Sequence, residues 1–158
     1  MIYFLDTCIL VHAKNLHFPL DGNLGFWAWL LKLGQEGTVK IPEYVSKEVN
    51  RGNDDLVDWM NTHKDIFLSK TVECIYVMPQ TLAAYGEPPL NEAELEILEA
   101  DPYLIAHALA AGGTVVTDEI PNRAIAPKNK RVPVVCKTLG VPCLTLPAFM
   151  WELRQTML

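Results

Sequence analysis

Two short apolar runs, each ending in a carboxylate, constrain this chain most. Ile2-Tyr-Phe-Leu stops at Asp6, with the hydroxyl of Thr7 next to it. Thr114-Val-Val-Thr stops at Asp118 and Glu119. A continuous apolar run of this length fits a strand buried on both faces, as in a parallel sheet. A carboxylate at the C-terminal end of such a strand emerges at the sheet edge where α/β folds bind their ligands. Each acid also has a plain structural reading. Asp6 serves equally well as the N-cap of the segment that follows, and Asp118 and Glu119 as loop acids.

The stretches between them alternate. Leu16 to Gly25 carries Pro19, Asp21 and two glycines and reads as a loop. Phe26 to Leu33 is a short apolar helix that ends before Gly34. Thr38 to Ile41 is a second strand, and Pro42 opens a helix over Glu43 to Asn50. Helical spacing puts Glu48 beside the apolar stripe of Tyr44, Val45 and Val49, where a glutamate either snorkels to solvent or serves a site. Asp54 to Lys64 forms a further helix, and Val72 to Val77 is an apolar run interrupted by Glu73. Pro79 to Tyr85 reads as a short helix, and the glutamates of Asn91 to Glu99 read as solvated surface. Asp101-Pro102 is a helix start, with Asp as cap and Pro in the first turn; this helix runs to about Ala111 and stops at Gly112. His107 on it reads as a packed or partly exposed residue. Val132 to Leu139 is a helix led by Pro133, Val141 to Leu146 a last strand, and Pro147 to Met157 a closing amphipathic helix. This alternation predicts a three-layer α/β/α fold with a central, mostly parallel sheet and right-handed crossovers.

The 158 residues, half of them hydrophobic, suit a single domain with its own core. No window is apolar enough to span a bilayer and no signal-peptide pattern opens the chain, so a cytoplasmic protein without a membrane partner is expected. The four cysteines form no Cys-x-x-Cys pair and read as small buried hydrophobes. A net charge of −6 excludes a broad electrostatic grip on nucleic acid and leaves room for a local basic cluster, Lys128, Lys130 and Arg131. There is no Walker-type phosphate loop and no Gly-x-Gly-x-x-Gly.

Asp6, Glu48, Asp101 and the pair Asp118–Glu119 all fall where strands or helices begin or end near one sheet edge. Carboxylates gathered there repel one another and raise each other's pKa values, and a divalent cation removes that cost. Oxygen donors without paired Cys or His favour Mg²⁺ or Mn²⁺ over zinc. Such ions activate water and stabilise the leaving oxygen of a phosphodiester, often in pairs about 4 Å apart.

The quoted stretches resemble the PIN-domain family, the VapC type of metal-dependent ribonuclease toxin, along essentially the whole chain. The resemblance is carried by Phe4-Leu-Asp-Thr, Glu48, Asp101-Pro-Tyr-Leu-Ile-Ala-His-Ala and Val115-Val-Thr-Asp-Glu. Gly25-Phe-Trp-Ala-Trp-Leu and Val132-Pro-Val-Val-Cys resemble one branch of that family. It implies that Asp6, Glu48 and Asp101 hold Mg²⁺ or Mn²⁺, with Thr7 and Thr117 as supporting hydroxyls. The fourth acid stays open. The family pattern counts from Thr117 to Glu119, one methylene longer than the usual aspartate, while Asp118 is the alternative. The implied reaction is hydrolysis of an RNA phosphodiester, with Asp101 or Glu119 orienting or deprotonating the water. Lys128, Lys130 and Arg131 become candidates for the RNA backbone, with a solvated loop as the equal alternative. The resemblance further implies a homodimer and an antitoxin partner, with Trp27, Trp29 and Trp151 as candidate interface residues. A catalytically weak PIN-like module acting by binding protein or RNA, and a structure-specific DNA nuclease, use the same residues differently.

Overall fold

The computed structural model describes residues 1–22 and 24–157. Strand β1 (Tyr3–Leu5) leads into helix α1 (Thr7–His12), which continues as a π-helical turn over Ala13–His17. Helix α2 (Leu24–Gln35), strand β2 (Val39–Pro42), helices α3 (Glu43–Val49) and α4 (Asp55–Phe67) and strand β3 (Leu68–Ser69) follow. Two 3₁₀ turns, Thr71–Glu73 and Ile75–Val77, precede α5 (Met78–Ala83) and α6 (Glu92–Leu98). Helix α7 (Asp101–Ala111), strand β4 (Thr114–Val116), helix α8 (Val132–Leu139), strand β5 (Cys143–Leu144) and helix α9 (Leu146–Glu152) complete the order.

The strands form one parallel sheet in the order β3-β2-β1-β4-β5. Tyr3 of β1 pairs with Val39 on one side and Thr114 on the other, so this strand is central. It is buried on both faces, as its unbroken apolar run requires. Alternate residues point to opposite faces. Tyr3 meets Phe149 of α9 edge-on at 5.2 Å, and Phe4 stacks on His107 of α7 at 5.8 Å. Helix α7 thus covers one face, and α9 with α2, whose Trp29 lies 5.6 Å from Phe149, covers the other. This is the three-layer α/β/α arrangement.

The chain builds outward from β1 through β2 to β3, then returns to lay β4 and β5 on the other side. The sheet order reverses between β1 and β4, and a crevice at such a reversal is where open α/β sheets bind ligands. The return is tight. Helix α7 ends at Gly112 in the left-handed region (φ 61°), and a Cβ on Gly113 would sit 2.6 Å from the Ile2 carbonyl. That close approach lets the Thr114 N–H donate to the Ile2 carbonyl at 2.8 Å.

Several sequence expectations change. The alternation predicts four strands; β3 is a fifth, a two-residue edge strand too short to show a period. Val72 to Val77 is two 3₁₀ turns, and Val72, Ile75 and Tyr76 face solvent. Glu73 closes the first turn by accepting from the Lys70 N–H and the Ser69 hydroxyl. The last strand narrows to two residues, and the closing helix stops at Glu152 before a 3₁₀ turn over Arg154–Met157. Trp27 and Trp29 are core residues whose indole N–H groups donate to the Phe18 carbonyl and the Thr156 hydroxyl; of the three candidate interface tryptophans only Trp151 is exposed. No helix among the described residues is long and apolar enough to cross a membrane.

Candidate active site

Asp6 leaves the C-terminal end of β1 with its N–H bonded to the Val116 carbonyl of β4, at the sheet reversal. Its carboxylate is 5% exposed and surrounded by donors. Oδ1 accepts from the Thr7 N–H at 2.7 Å. Oδ2 accepts from the Thr117 hydroxyl at 2.7 Å and from the Cys8 thiol at 3.4 Å. Asp6 therefore caps α1, and its carboxylate is also held by the hydroxyl of Thr117, the residue after β4.

Glu48 is half-buried on α3, pinned from two elements. The Thr7 hydroxyl donates to its Oε2, and the Ala100 N–H donates to Oε1 at 2.9 Å. It is therefore not a snorkelling surface glutamate. Asp101 sits in the first turn of α7. It is not the cap. Ala100 is already helical (φ −75°, ψ −18°), so the helix starts one residue early and Asp101 makes no cap bond. Among the described residues its carboxylate accepts no hydrogen bond at all.

The two fourth-acid candidates diverge. Asp118 spends both oxygens on structure: Oδ1 accepts from the Leu146 N–H at the start of α9 (2.8 Å), and Oδ2 meets His12 Nδ1 at 3.0 Å. Glu119 accepts from the Val132 N–H through Oε2 at 3.0 Å, with its backbone N–H on the Thr117 hydroxyl. Its Oε1 has no protein partner among the described residues.

Electrostatics ties the group together. Burial first, and then the charges of Asp6, Glu119, Glu48 and Glu99, push Asp101 up from 3.8 to about 8. Asp6, Glu48 and Glu119 are each raised as well, chiefly by burial, and Asp6 adds to the rise at Glu119. Asp118 is absent from the charges that act on Asp101. Asp101 is thus the acid on which the charges of Asp6, Glu48 and Glu119 converge, while Asp118 acts on Asp6. The sequence did not single out Cys8, a half-buried thiol wedged against Asp6 and Thr117 and raised to about 12 by burial and by Asp6. Its position two residues after Asp6, one helical step away, is the signal for it.

The donor chemistry suits a hard divalent cation: carboxylate oxygens, mutual repulsion, and a half-buried acid without a hydrogen-bond donor among the described residues. As the side chains stand, no three Asp, Glu, His or Cys groups among the described residues are close enough to hold an ion. Arg131 bears on Glu119, and Lys128 and Arg131 are exposed beyond it, with Lys130 half-buried.

Comparison with known proteins adds three findings. A family model described as a domain of unknown function (DUF4411) matches residues 3–157. Ribonuclease VapC2 of Rickettsia felis is 32% identical over 124 residues, covering 76% of this chain and 88% of that protein. The crystal structure of VapBC2 from Rickettsia felis, bound to a DNA fragment from its promoter, contains a chain that superposes with a TM-score of 0.51 at 19% identity. The match covers 92% of this chain and 98% of that one.

Proposed function

The chain belongs to the VapC-like PIN-domain family and to DUF4411, and from that premise we propose that it is a Mg²⁺- or Mn²⁺-dependent endoribonuclease, the toxin of a type II toxin–antitoxin pair. One observation carries the reading. At the sheet reversal a half-buried carboxylate without any hydrogen-bond donor among the described residues, Asp101, feels the charges of Asp6, Glu48 and Glu119 together. A fold keeps such an arrangement where a cation is meant to resolve it.

Asp6, Glu48, Asp101 and Glu119 are the residues that would hold the ion, which supplies a polarised phosphoryl oxygen and an acidified water. The rest is the chain's own work. Thr117 and the Thr7 N–H hold the Asp6 carboxylate in one rotamer, and the Thr7 hydroxyl with the Ala100 N–H does the same for Glu48. Asp101 and the free Oε1 of Glu119 are the oxygens left to orient the attacking water and take its proton. Asp118 has a different task, holding α9 and His12. Lys128, Lys130 and Arg131 follow Glu119 and would meet the RNA backbone, positioning it without reading sequence. An antitoxin partner and a homodimer belong to the same reading.

A second reading, a PIN-like module that binds without cutting, is favoured by the spacing of the acids, which do not meet around one point. The two separate in one experiment on partner-free protein, with total RNA as substrate and Mn²⁺ added. Cleavage that needs the ion and vanishes in Asp6→Asn and Asp101→Asn establishes the nuclease. Metal binding by calorimetry without cleavage selects the binding module. Cleavage by both variants at the wild-type rate removes the four-acid site.

A further inference from the structure

A cavity of about 440 Å³ opens between α3, α5, α6 and α7, and Glu48 forms part of its wall. It lies within the size range of small-molecule sites, roughly 300–1,000 Å³. The acid cluster and this cavity therefore share one side chain. Its floor is apolar, made by Met78, Leu82 and Leu95. One wall is aromatic: Tyr44 and Tyr103 stack with ring centres 3.7 Å apart and planes 3° from parallel.

The charges decide what fits. Lys47 and Arg51 line the cavity, against Glu48, Glu96 and Glu99. Both cations are engaged, Lys47 over the Tyr44 ring at 4.6 Å and Arg51 on the Glu99 carboxylate at 2.5 Å. A phosphate meets three carboxylates here against two cations, one of them already paired with Glu99. A flat, uncharged group that presents N–H donors finds the carboxylate of Glu96 and an aromatic wall. Glu96 is exposed and has no hydrogen bond or ion pair among the described residues. Glu99 stands at the junction of cavity and acid cluster, with φ 53° and ψ −114°. That region is left-handed, where a non-glycine backbone is strained, and such strain persists where surrounding contacts impose it. Glu99 also precedes Ala100, whose N–H holds Glu48.

We propose that this cavity is a nucleobase subsite that seats a guanine of the RNA beside the acid cluster, its ring against the tyrosine wall and its paired N–H donors on Glu96. Guanine is the base whose pairing edge carries adjacent ring and exocyclic N–H donors. This inference rests on the ribonuclease reading and refines it: the seated base sets where the strand is cut.

The test uses the full chain, with GMP and UMP as probes in ligand-observed NMR titrations and with mapping of the RNA ends produced from total RNA. Leu95→Trp fills the cavity from a half-buried position, and Glu96→Ala removes the acceptor from an exposed one. GMP should bind at least about tenfold more tightly than UMP, and both variants should weaken GMP by about tenfold or more, the discrimination expected of a bidentate base contact. In Glu96→Ala, RNA cleavage should continue while its preference for sites beside guanine disappears. Equal binding of GMP and UMP, no binding of either, or variants that bind GMP like wild type overturns the subsite. Unchanged cut positions in Glu96→Ala overturn it while leaving the nuclease intact. GMP binding that Leu95→Trp blocks, in a protein that cuts no RNA, leaves the subsite standing and removes the nuclease.

Discussion

Helix α7 carries two titratable side chains away from water, Asp101 in its first turn and His107 further along, and their surroundings differ. His107 is 2% exposed, stacks on Phe4, and shares a hydrogen bond of 3.0 Å between Nδ1 and the Ser69 hydroxyl, which in turn donates to Glu73. Burial lowers its pKa from 6.5, so it is neutral at pH 7, the form its burial favours. Asp101 is pushed the other way, to about 8, and at pH 7 burial opposes the charge it would carry in water. Both shifts run towards the neutral form. For the histidine that is nearly its ordinary state; for the aspartate it lies far from it. The same physical force makes one residue a packing element and the other an acid held protonated near neutral pH, whose charge only a counter-charge would restore.

The largest test of this contrast is Asp101→Asn. RNA cleavage should fall by roughly 10²–10⁴-fold, while the metal-free protein should gain roughly 1–2 kcal/mol in urea melts at pH 7, since the cost of holding that acid protonated is gone. A cleavage loss accompanied by a stability loss would mean that Asp101 is structural after all. Next, Glu119→Gln should lower cleavage about tenfold to hundredfold and Asp118→Asn by less than about tenfold, because only Glu119 bears on Asp101. Equal losses would return Asp118 to the cluster. Thr7→Val should reduce cleavage by about tenfold through the released Glu48, with KM for RNA nearly unchanged, in steady-state assays.

The smallest effects are in pH. Between pH 6.5 and the lowered pKa of His107 the unfolded chain binds a proton that the fold refuses, so stability present above pH 6.5 is lost as pH falls through that window. For Asp101 the sign is opposite. Between 3.8 and about 8 the metal-free fold holds a proton that the unfolded chain has released, so stability falls as pH rises. Thermal melts of His107→Asn should lose the acid-side slope and cost about 1 kcal/mol from the broken Ser69 bond. Asp101→Asn should flatten the fall in stability between pH 3.8 and about 8. A slope surviving in either variant would assign it to another group.

Most of the layered fold was legible from residues alone, because β1 and β4 carry unbroken apolar runs and the helices carry Pro starts and Gly stops. β3 was not, since two residues at a sheet edge show no period. The run Val72 to Val77 could not be assigned because apolar residues exposed on 3₁₀ turns carry neither a strand nor a helix period. At the site, Asp6 and Glu48 stood at element ends and were visible. The division between Asp118 and Glu119 was not, because it depends on N–H groups of Val132 and Leu146 that arrive from later in the chain. The role of Cys8 was hidden for a similar reason: its thiol reads as a hydrophobe until Thr117 is laid against it.

The sheet order bears on the protein's birth as well as its work. Thr117 reaches Asp6 across 111 residues of chain, and Glu119 is held by the N–H of Val132. A chain folded only as far as residue 131 has Asp6, Glu48, Asp101 and the Thr117 hydroxyl but no Val132 N–H to anchor the fourth acid. Contacts this distant in sequence form late in folding. The site is therefore completed only once the stretch from Thr117 to Val132 has joined β1.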